Sequence, residues 1–354
     1  MVSLSEAGAA ATPAAPRRYT VRRATPADRE RVLAFYERHF PQHKRLTSGR
    51  YWEWQFLDQP TDDGEVPFFL LDDGGEVHGG IGYIARRAVI DGRVVRARVP
   101  ICFFVSEVYR GLPSVMLLRA VMADADVLLA SSFSEEAYRL VIKAGFRDFG
   151  GSLRHYWCAT HFQGQGMAAA LRYWVKALLR FARQVRTAIS SPPLTYCVER
   201  ALQPDMSSAC EGHPADQQLV KNQAWVSWRY SKSPLLDVQY VHQYSAGEPV
   251  GLAVVSRSTD GHTCEVLDLW WRDENTLRLA ALLDEVRRVA RRSGCDAVAT
   301  HAVGGRLDRA FGKSLFSATA SPLGFLLMSR RKDIADRALQ VGNWSLLVGD
   351  TDAA

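Results

Sequence analysis

Cysteine is sparse and scattered in this chain. Cys102, Cys158, Cys197, Cys210, Cys264 and Cys295 include no Cys-x-x-Cys pair. That spacing excludes the usual zinc-site signatures and a disulfide framework, so no metal is expected. Reduced thiols suit a cytoplasmic protein. No apolar run reaches the roughly 20 residues that cross a bilayer, so no membrane insertion is expected. The N-terminus is rich in Ala and Pro and lacks a basic start followed by an apolar core, which is not the pattern of a signal peptide. Residues 1–17 read as a disordered leader.

What is present is ordinary globular material: 354 residues, 47% hydrophobic and 23% charged, enough for about two domains. The net charge of +6 suits an anionic partner such as a phosphorylated cofactor, nucleic acid or an acidic surface, and equally an Arg-rich chain with no such partner. The organisation shows in a repeat. Trp54-Gln55-Phe56-Leu57-Asp58-Gln59-Pro60 returns as Trp228-Arg229-Tyr230-Ser231-Lys232-Ser233-Pro234, both Trp-x-(Phe/Tyr)-x-x-x-Pro. Gly75-Glu76-Val77-His78-Gly79 returns at nearly the same separation as Gly247-Glu248-Pro249-Val250-Gly251. Two matches in one order predict one fold occurring twice, and give the repeated tryptophans a shared structural role against the sheet.

Local signals order the elements. Tyr19 to Arg23 alternates as a strand, and Thr25-Pro26 opens a helix that Pro41 stops. A short helix carries Tyr51, Trp52 and Trp54. An antiparallel meander follows, ending in the apolar run Ile101 to Val105, typical of a buried central strand. Then come a helix over 112–122, a short buried strand at 127–130, a helix over 134–144 closed by Gly145, and a last strand segment to Trp157. Residues 166–187 form an Arg-dotted amphipathic helix, which Ser190-Ser191-Pro192-Pro193 breaks. The second copy spans Trp225 to Ser314, and 330–354 reads as a short helix and an Asp-containing tail.

Two stretches carry a resemblance. Val105-Ser106-Glu107-Val108-Tyr109-Arg110-Gly111 resembles the Val-x-Pro-x-Tyr-Arg-Gly approach to the acetyl-CoA loop of the GNAT N-acetyltransferase superfamily. Ala137 to Lys143, followed by Gly145-Phe146, resembles that family's closing Ala-x-x-x-Tyr-x-x-x-Gly-Phe helix. The doubled arrangement is similar to tandem GNAT proteins of bacteria, some of which sit in polysaccharide-biosynthesis gene clusters. The resemblance implies a mixed-sheet α/β fold in two tandem GNAT-like units. The expected divisions are 18–160 for the first unit, 161–215 for a helical linker, 216–330 for a degenerate second unit and 331–354 for a tail. It implies acetyl-CoA as cosubstrate, a small-molecule amine acceptor and no nucleic acid. The implied cofactor residues are Phe104, Val105, Arg110, Gly111, Leu112, Ser114 and Val115. A strand end followed by a helix start offers backbone N–H groups and a favourable dipole to a pyrophosphate, and Arg110 adds a bidentate charge. The implied catalytic candidates are Glu107 as base, Tyr138 as acid and Ser134, which stands where the family often has Asn.

The pattern departs from the family at named positions. Glu107 replaces a frequent Pro. Pro113 replaces the first Gly of the loop and brings no N–H, and Val115 replaces a small residue. Val141 occupies the usual Tyr position. The loop after the second unit's central strand has no Gly, so no acetyl-CoA site is expected there. Gln163-Gly164-Gln165-Gly166-Met167-Ala168 matches the loop pattern fully but follows the wrong strand. The departures keep a second class of function open, a non-catalytic ligand- or partner-binding protein. Arg86, Arg87, Arg93, Arg96 and Arg98 form a basic cluster in sequence, without the aromatic interleaving of a nucleic-acid surface.

Overall fold

The computed structural model of the chain describes residues 19–123, 125–131, 134–162, 167–190, 192–206, 217–272 and 276–350. Strand β1 (Thr20–Arg23) leads to Thr25, whose N–H and hydroxyl both donate to Asp28 Oδ2, at 2.9 and 2.8 Å. That cap starts helix α1 (Arg29–His39), which buries Val32, Leu33, Phe35 and Tyr36 and ends ahead of Pro41. Helix α2 (Gly49–Trp52) continues into a π turn over Glu53–Leu57. The meander β2 (Phe68–Asp72), β3 (Val77–Ile90) and β4 (Arg93–Val105) is followed by α3 (Leu112–Met122), β5 (Val127–Ser131), α4 (Glu135–Lys143), β6 (Arg147–Asp148), β7 (Arg154–Ala159) and the long helix α5 (Met167–Ser190).

The series then runs again. Strand β8 (Leu194–Glu199) is followed by β9 (Gln217–Leu219), α6 (Gln223–Val226) with its own π turn over Ser227–Ser231, and β10 (Val238–Ser245), β11 (Glu248–Arg257) and β12 (Thr263–Trp271). Next come α7 (Thr276–Arg292), β13 (Ala297–Val303), α8 (Gly305–Lys313), β14 (Ser317–Ala320) and β15 (Phe325–Ser329). Helix α9 (Ala335–Ala338) and strand β16 (Leu346–Leu347) close the described chain. The second series opens at β8, inside the stretch expected to be a helical linker. Leu194 to Glu199 pairs antiparallel with β10, as β1 pairs with β2. The Pro-rich break just before it hid this strand from pattern reading.

Two eight-stranded sheets result, and they trade strands. The first has the order β1-β2-β3-β4-β5-β15-β6, with β9 also on β3; the second has β14-β7-β13-β12-β11-β10-β8, with β16 on β13. Strand β7, early in the chain, lies between β13 and β14, with Ala159 opposite Ala297 and Trp157 opposite Ser317. Strand β15, late in the chain, lies between β5 and β6, with Phe325 opposite Ser131 and Leu326 opposite Asp148. A division at residue 160 therefore separates segments, not sheets. Each sheet is completed by the other series because an edge pair such as β5 and β6 must bond its backbone groups to some strand, and the residues of β7 and β15 do not specify which.

The two halves meet on the repeated motif. Trp54 and Trp228 stack at 5.2 Å between ring centroids, 17° from parallel. Each indole N–H donates to the other's backbone carbonyl, Trp54 Nε1 to Trp228 O at 2.8 Å and Trp228 Nε1 to Trp54 O at 2.6 Å. Such reciprocal bonding marks a local two-fold relation. Both π turns flank it through bonds that skip five residues, Asp58 N–H to Glu53 O and Lys232 N–H to Ser227 O, each 2.9 Å. One apolar cluster runs through this seam from Tyr36, Trp52 and Phe56 to Trp225, Tyr230 and Tyr240. The repeated tryptophans are thus packing residues.

Strand exchange makes the halves mutually dependent, so the chain is expected to unfold in one transition when far-UV circular dichroism and Trp fluorescence are followed together; two resolved transitions would contradict it. Trp54→Ala is expected to cost about 3–5 kcal/mol. Trp228→Ala added to it should cost far less than it does alone, because contacting residues do not add; urea denaturation of the four-protein cycle measures this.

Candidate functional site

Strands β4 and β5 run parallel but bond at only two positions, Ala97 with Val127 and Arg98 with Leu128. Beyond them the strands part. Residues 99–105 lean towards β3, and β5 goes on to Ser131. The wedge between them holds a cavity of about 860 Å³. Helices α3 and α4 close one side, and the loop between α1 and α2 brings Phe40, His43, Lys44 and Arg45 to the other. On β4 the pairing with β3 jumps from Gly80–Phe104 to Gly82–Ile101. Cys102 and Phe103 thus stand opposite the single residue Ile81, and Cys102 takes a left-handed φ of 49°. Such a bulge removes backbone groups from the ladder and re-aims them, here beside the cavity.

The walls are mixed. Phe104 lies 4.7 Å from Phe40 and 5.7 Å from His43, ring to ring. Among the lining residues Lys44, Arg45, Arg110, Arg139 and Lys143 outnumber the one carboxylate Glu136, with Arg139 also paired to Glu135 and Arg110 to Glu107 outside the cavity, so the wall is net positive and attracts anions. The Glu136 carboxyl is held below the usual range by its own backbone N–H and by the Ser134 hydroxyl. Ser131 Oγ lies buried on the wall without a hydrogen-bond partner among the described residues.

No protein-family model matches the chain, and no curated protein matches it. Solved structures do match. A GCN5-related N-acetyltransferase from Anabaena variabilis aligns over 88% of this chain and 72% of its own, at 13% identity and a TM-score of 0.56. One from Kribbella flavida aligns over the same shares at 16% identity and 0.55. The N-myristoyltransferase of Saccharomyces cerevisiae with bound myristoyl-CoA aligns over 90% of this chain and 84% of its own, at 10% identity and 0.51. The chain has the GNAT fold. At these identities the likeness is one of fold alone.

Within that GNAT fold the sequence-derived residues divide. Phe104, Val105, Arg110, Gly111, Ser114 and Ser134 line the cavity. Gly111 caps α3 at a φ of 108°, a backbone conformation that strains any side chain. Pro113 sits in the first turn of α3, where its fixed φ fits. Leu112, Val115, Glu107 and Tyr138 do not line it. Leu112 is exposed, and Glu107 points to solvent with Arg110 at 3.7 Å. Tyr138 is exposed and donates to Asp148 Oδ2 at 2.7 Å, a bond that holds it to the outside although it is only three residues before buried Val141. Ser134 caps α4, accepting from Ala137 N–H at 3.3 Å. His43 and Cys102, on the wall, were not among the candidates. Nothing in the local pattern marks either one; His43 stands in the loop after Pro41 and Cys102 inside an apolar strand. Gln163 to Gly166 lie outside the described residues.

The second unit builds the same wedge and fills it. Strands β12 and β13 pair from Thr263–Ala297 to Glu265–Ala299 and then part, with a bulge at Leu267. Into the gap comes the chain's own end. Strand β16 pairs with β13, and Val348–Asp350 lies along β12 so closely that a Cβ on Gly349 would stand 2.4 Å from Leu267 O. The buried Asp350 carboxylate meets Lys221 Nζ at 3.1 Å and Arg86 Nη1 at 3.6 Å, and accepts from Leu347 N–H at 3.0 Å. Lys221 also bonds Asp268, whose carboxyl burial pushes up. The segment expected to be an Asp-containing tail is therefore a buried plug as far as Asp350; its apolar Trp344, Leu346, Leu347 and Val348 drive it in. The Arg cluster disperses as well. Arg86 stacks on Trp225 at 3.7 Å, Arg98 is buried with a bond to Val121 O, and Arg87 pairs with Asp62.

Asp350→Ala leaves Arg86 and Lys221 short of a buried partner. It is expected to cost about 3–5 kcal/mol in urea denaturation, while Glu107→Ala and Tyr138→Phe stay within about 0.5 kcal/mol of the parent, as exposed surface changes do.

Proposed function

We propose that the chain is an acetyl-CoA-dependent N-acetyltransferase with one working cleft, the open wedge of the first unit. The observation that carries this reading is the asymmetry of the two wedges: the same splayed parallel pair encloses about 860 Å³ in one unit and the chain's own end in the other. A cofactor's pantetheine arm would lie between the parted strands and bond the backbone groups they leave unpaired. Its phosphates would meet Arg110 and the first turn of α3, with Lys44, Arg45, Arg139 and Lys143 around them. Transfer needs little more than placement. The acceptor nitrogen bonds to the thioester carbonyl carbon, the carbon–sulfur bond breaks, the thiolate takes a proton and the nitrogen gives one up. N–H groups re-aimed by the Cys102 bulge would stabilise the oxyanion. Among the titratable wall residues, His43 is the best suited to move the proton, since imidazole is the usual group for that work at neutral pH and Glu136 is a weakened base. The acceptor is an amine, in an amino sugar, a small metabolite or a peptide. Surface-polysaccharide biosynthesis in the cytoplasm is the setting proposed for it.

The engagement of Tyr138 with Asp148 supports a second reading, a GNAT-like protein that binds its ligand without turnover. Calorimetric titration with acetyl-CoA, followed by an amine screen, separates the two. The expected result is one site per chain, weakened about tenfold to hundredfold in Arg110→Ala, the worth of a lost charge-assisted contact. Saturable binding with no product from any amine favours the second reading, and no binding at millimolar cofactor ends the acetyltransferase reading and leaves a protein that binds another ligand or a partner.

A further inference from the structure

Helix α5 carries an apolar face that no part of the described chain covers. Met167, Leu171, Trp174, Leu178, Phe181 and Ile189 stand 63–89% exposed. At 100° per residue they share one side of a helix ~36 Å long at 1.5 Å per residue. The opposite side holds the helix to the body, where buried Arg180 donates to Cys158 Sγ at 2.9 Å and Lys176 reaches Leu315 O at 3.5 Å. Phe162 is exposed as well and lies edge-on to Tyr173.

The charges show what would cover it. The helix contains Arg172, Lys176, Arg180, Arg183 and Arg186, and no Asp or Glu occurs anywhere between Asp148 and Glu199. We propose that α5 docks the protein on an anionic lipid bilayer, lying in the plane of the surface with its apolar side sunk among the head groups. An apolar side bearing Trp and Phe, on a helix whose charged residues are all positive, is what such a surface selects. No described helix is long and apolar enough to cross a membrane, so the contact is with one leaflet. A second copy of the chain fits less well, because a symmetric contact sets the same acid-free helix against itself. The proposal is independent of the acyltransferase reading.

Cosedimentation of the full chain with phosphatidylcholine vesicles, with and without phosphatidylglycerol, tests it. The expected result is binding to the anionic vesicles, weakened by salt and reduced about tenfold or more in L178E/F181E. Circular dichroism should show that variant folded, since both positions are exposed. A blue shift of Trp fluorescence on vesicles, absent in Trp174→Phe, places the helix at the surface. Failure to bind anionic vesicles overturns the proposal, as does equal binding to both vesicle types or undiminished binding by the double variant. A dimer in sedimentation velocity that L178E/F181E dissociates, without vesicle binding, would assign the face to a second copy instead.

Discussion

The exchange of β7 and β15 is the constraint on which the rest of the structure depends. A sheet edge with unpaired N–H and C=O groups has to be satisfied, and here each sheet draws that satisfaction from the far series of the chain. The exchange ties the two series together, and the π turns of both come into contact. It also seats Trp54 on Trp228 with mutual indole-to-carbonyl bonds. Because the seam shares one apolar cluster, neither series retains a complete core when taken alone.

One scaffold then reaches two ends. In both sheets the central parallel pair bonds briefly and parts, leaving main-chain groups facing a gap. Such a gap is unstable dry and empty, so water, a ligand or more chain must occupy it. In the second unit residues 344–350 take that place, and the charge of Asp350 is met by Lys221 and Arg86, which come from elements outside that wedge. In the first, the bulge at Cys102 and five cationic side chains border an open cavity. The asymmetry lies in what enters the wedge, not in how it is built.

The positive charge of the chain is likewise divided by position. Arg86 and Arg98 are interior groups stacked on Trp225 and Tyr83, while Arg110, Arg139 and Lys143 ring the cavity. A further set occurs in the sequence of α5, a helix with exposed apolar residues. Net charge alone could not distinguish these three uses.

The sequence by itself determined what depends on neighbours along the chain. Thr25-Pro26 started a helix and Pro41 stopped it. Ile101 to Val105 was strand, 112–122 helix, and Ser134 and Gly145 bounded α4, because caps, φ preferences and periodicity act over a few residues. The Trp repeat announced the doubling, and the strand-to-helix turn at Arg110-Gly111 marked one wall of the cavity. Only tertiary structure decided the rest. Which sheet takes Arg154–Ala159, whether Tyr138 faces in or out, that His43 and Cys102 share a wall, and that Asp350 is buried all depend on partners far away in sequence. A strand's residues encode its extended shape and its buried face but not which edge will bond it, and for that reason the strand exchange and the filled second wedge could not be read before the chain was folded.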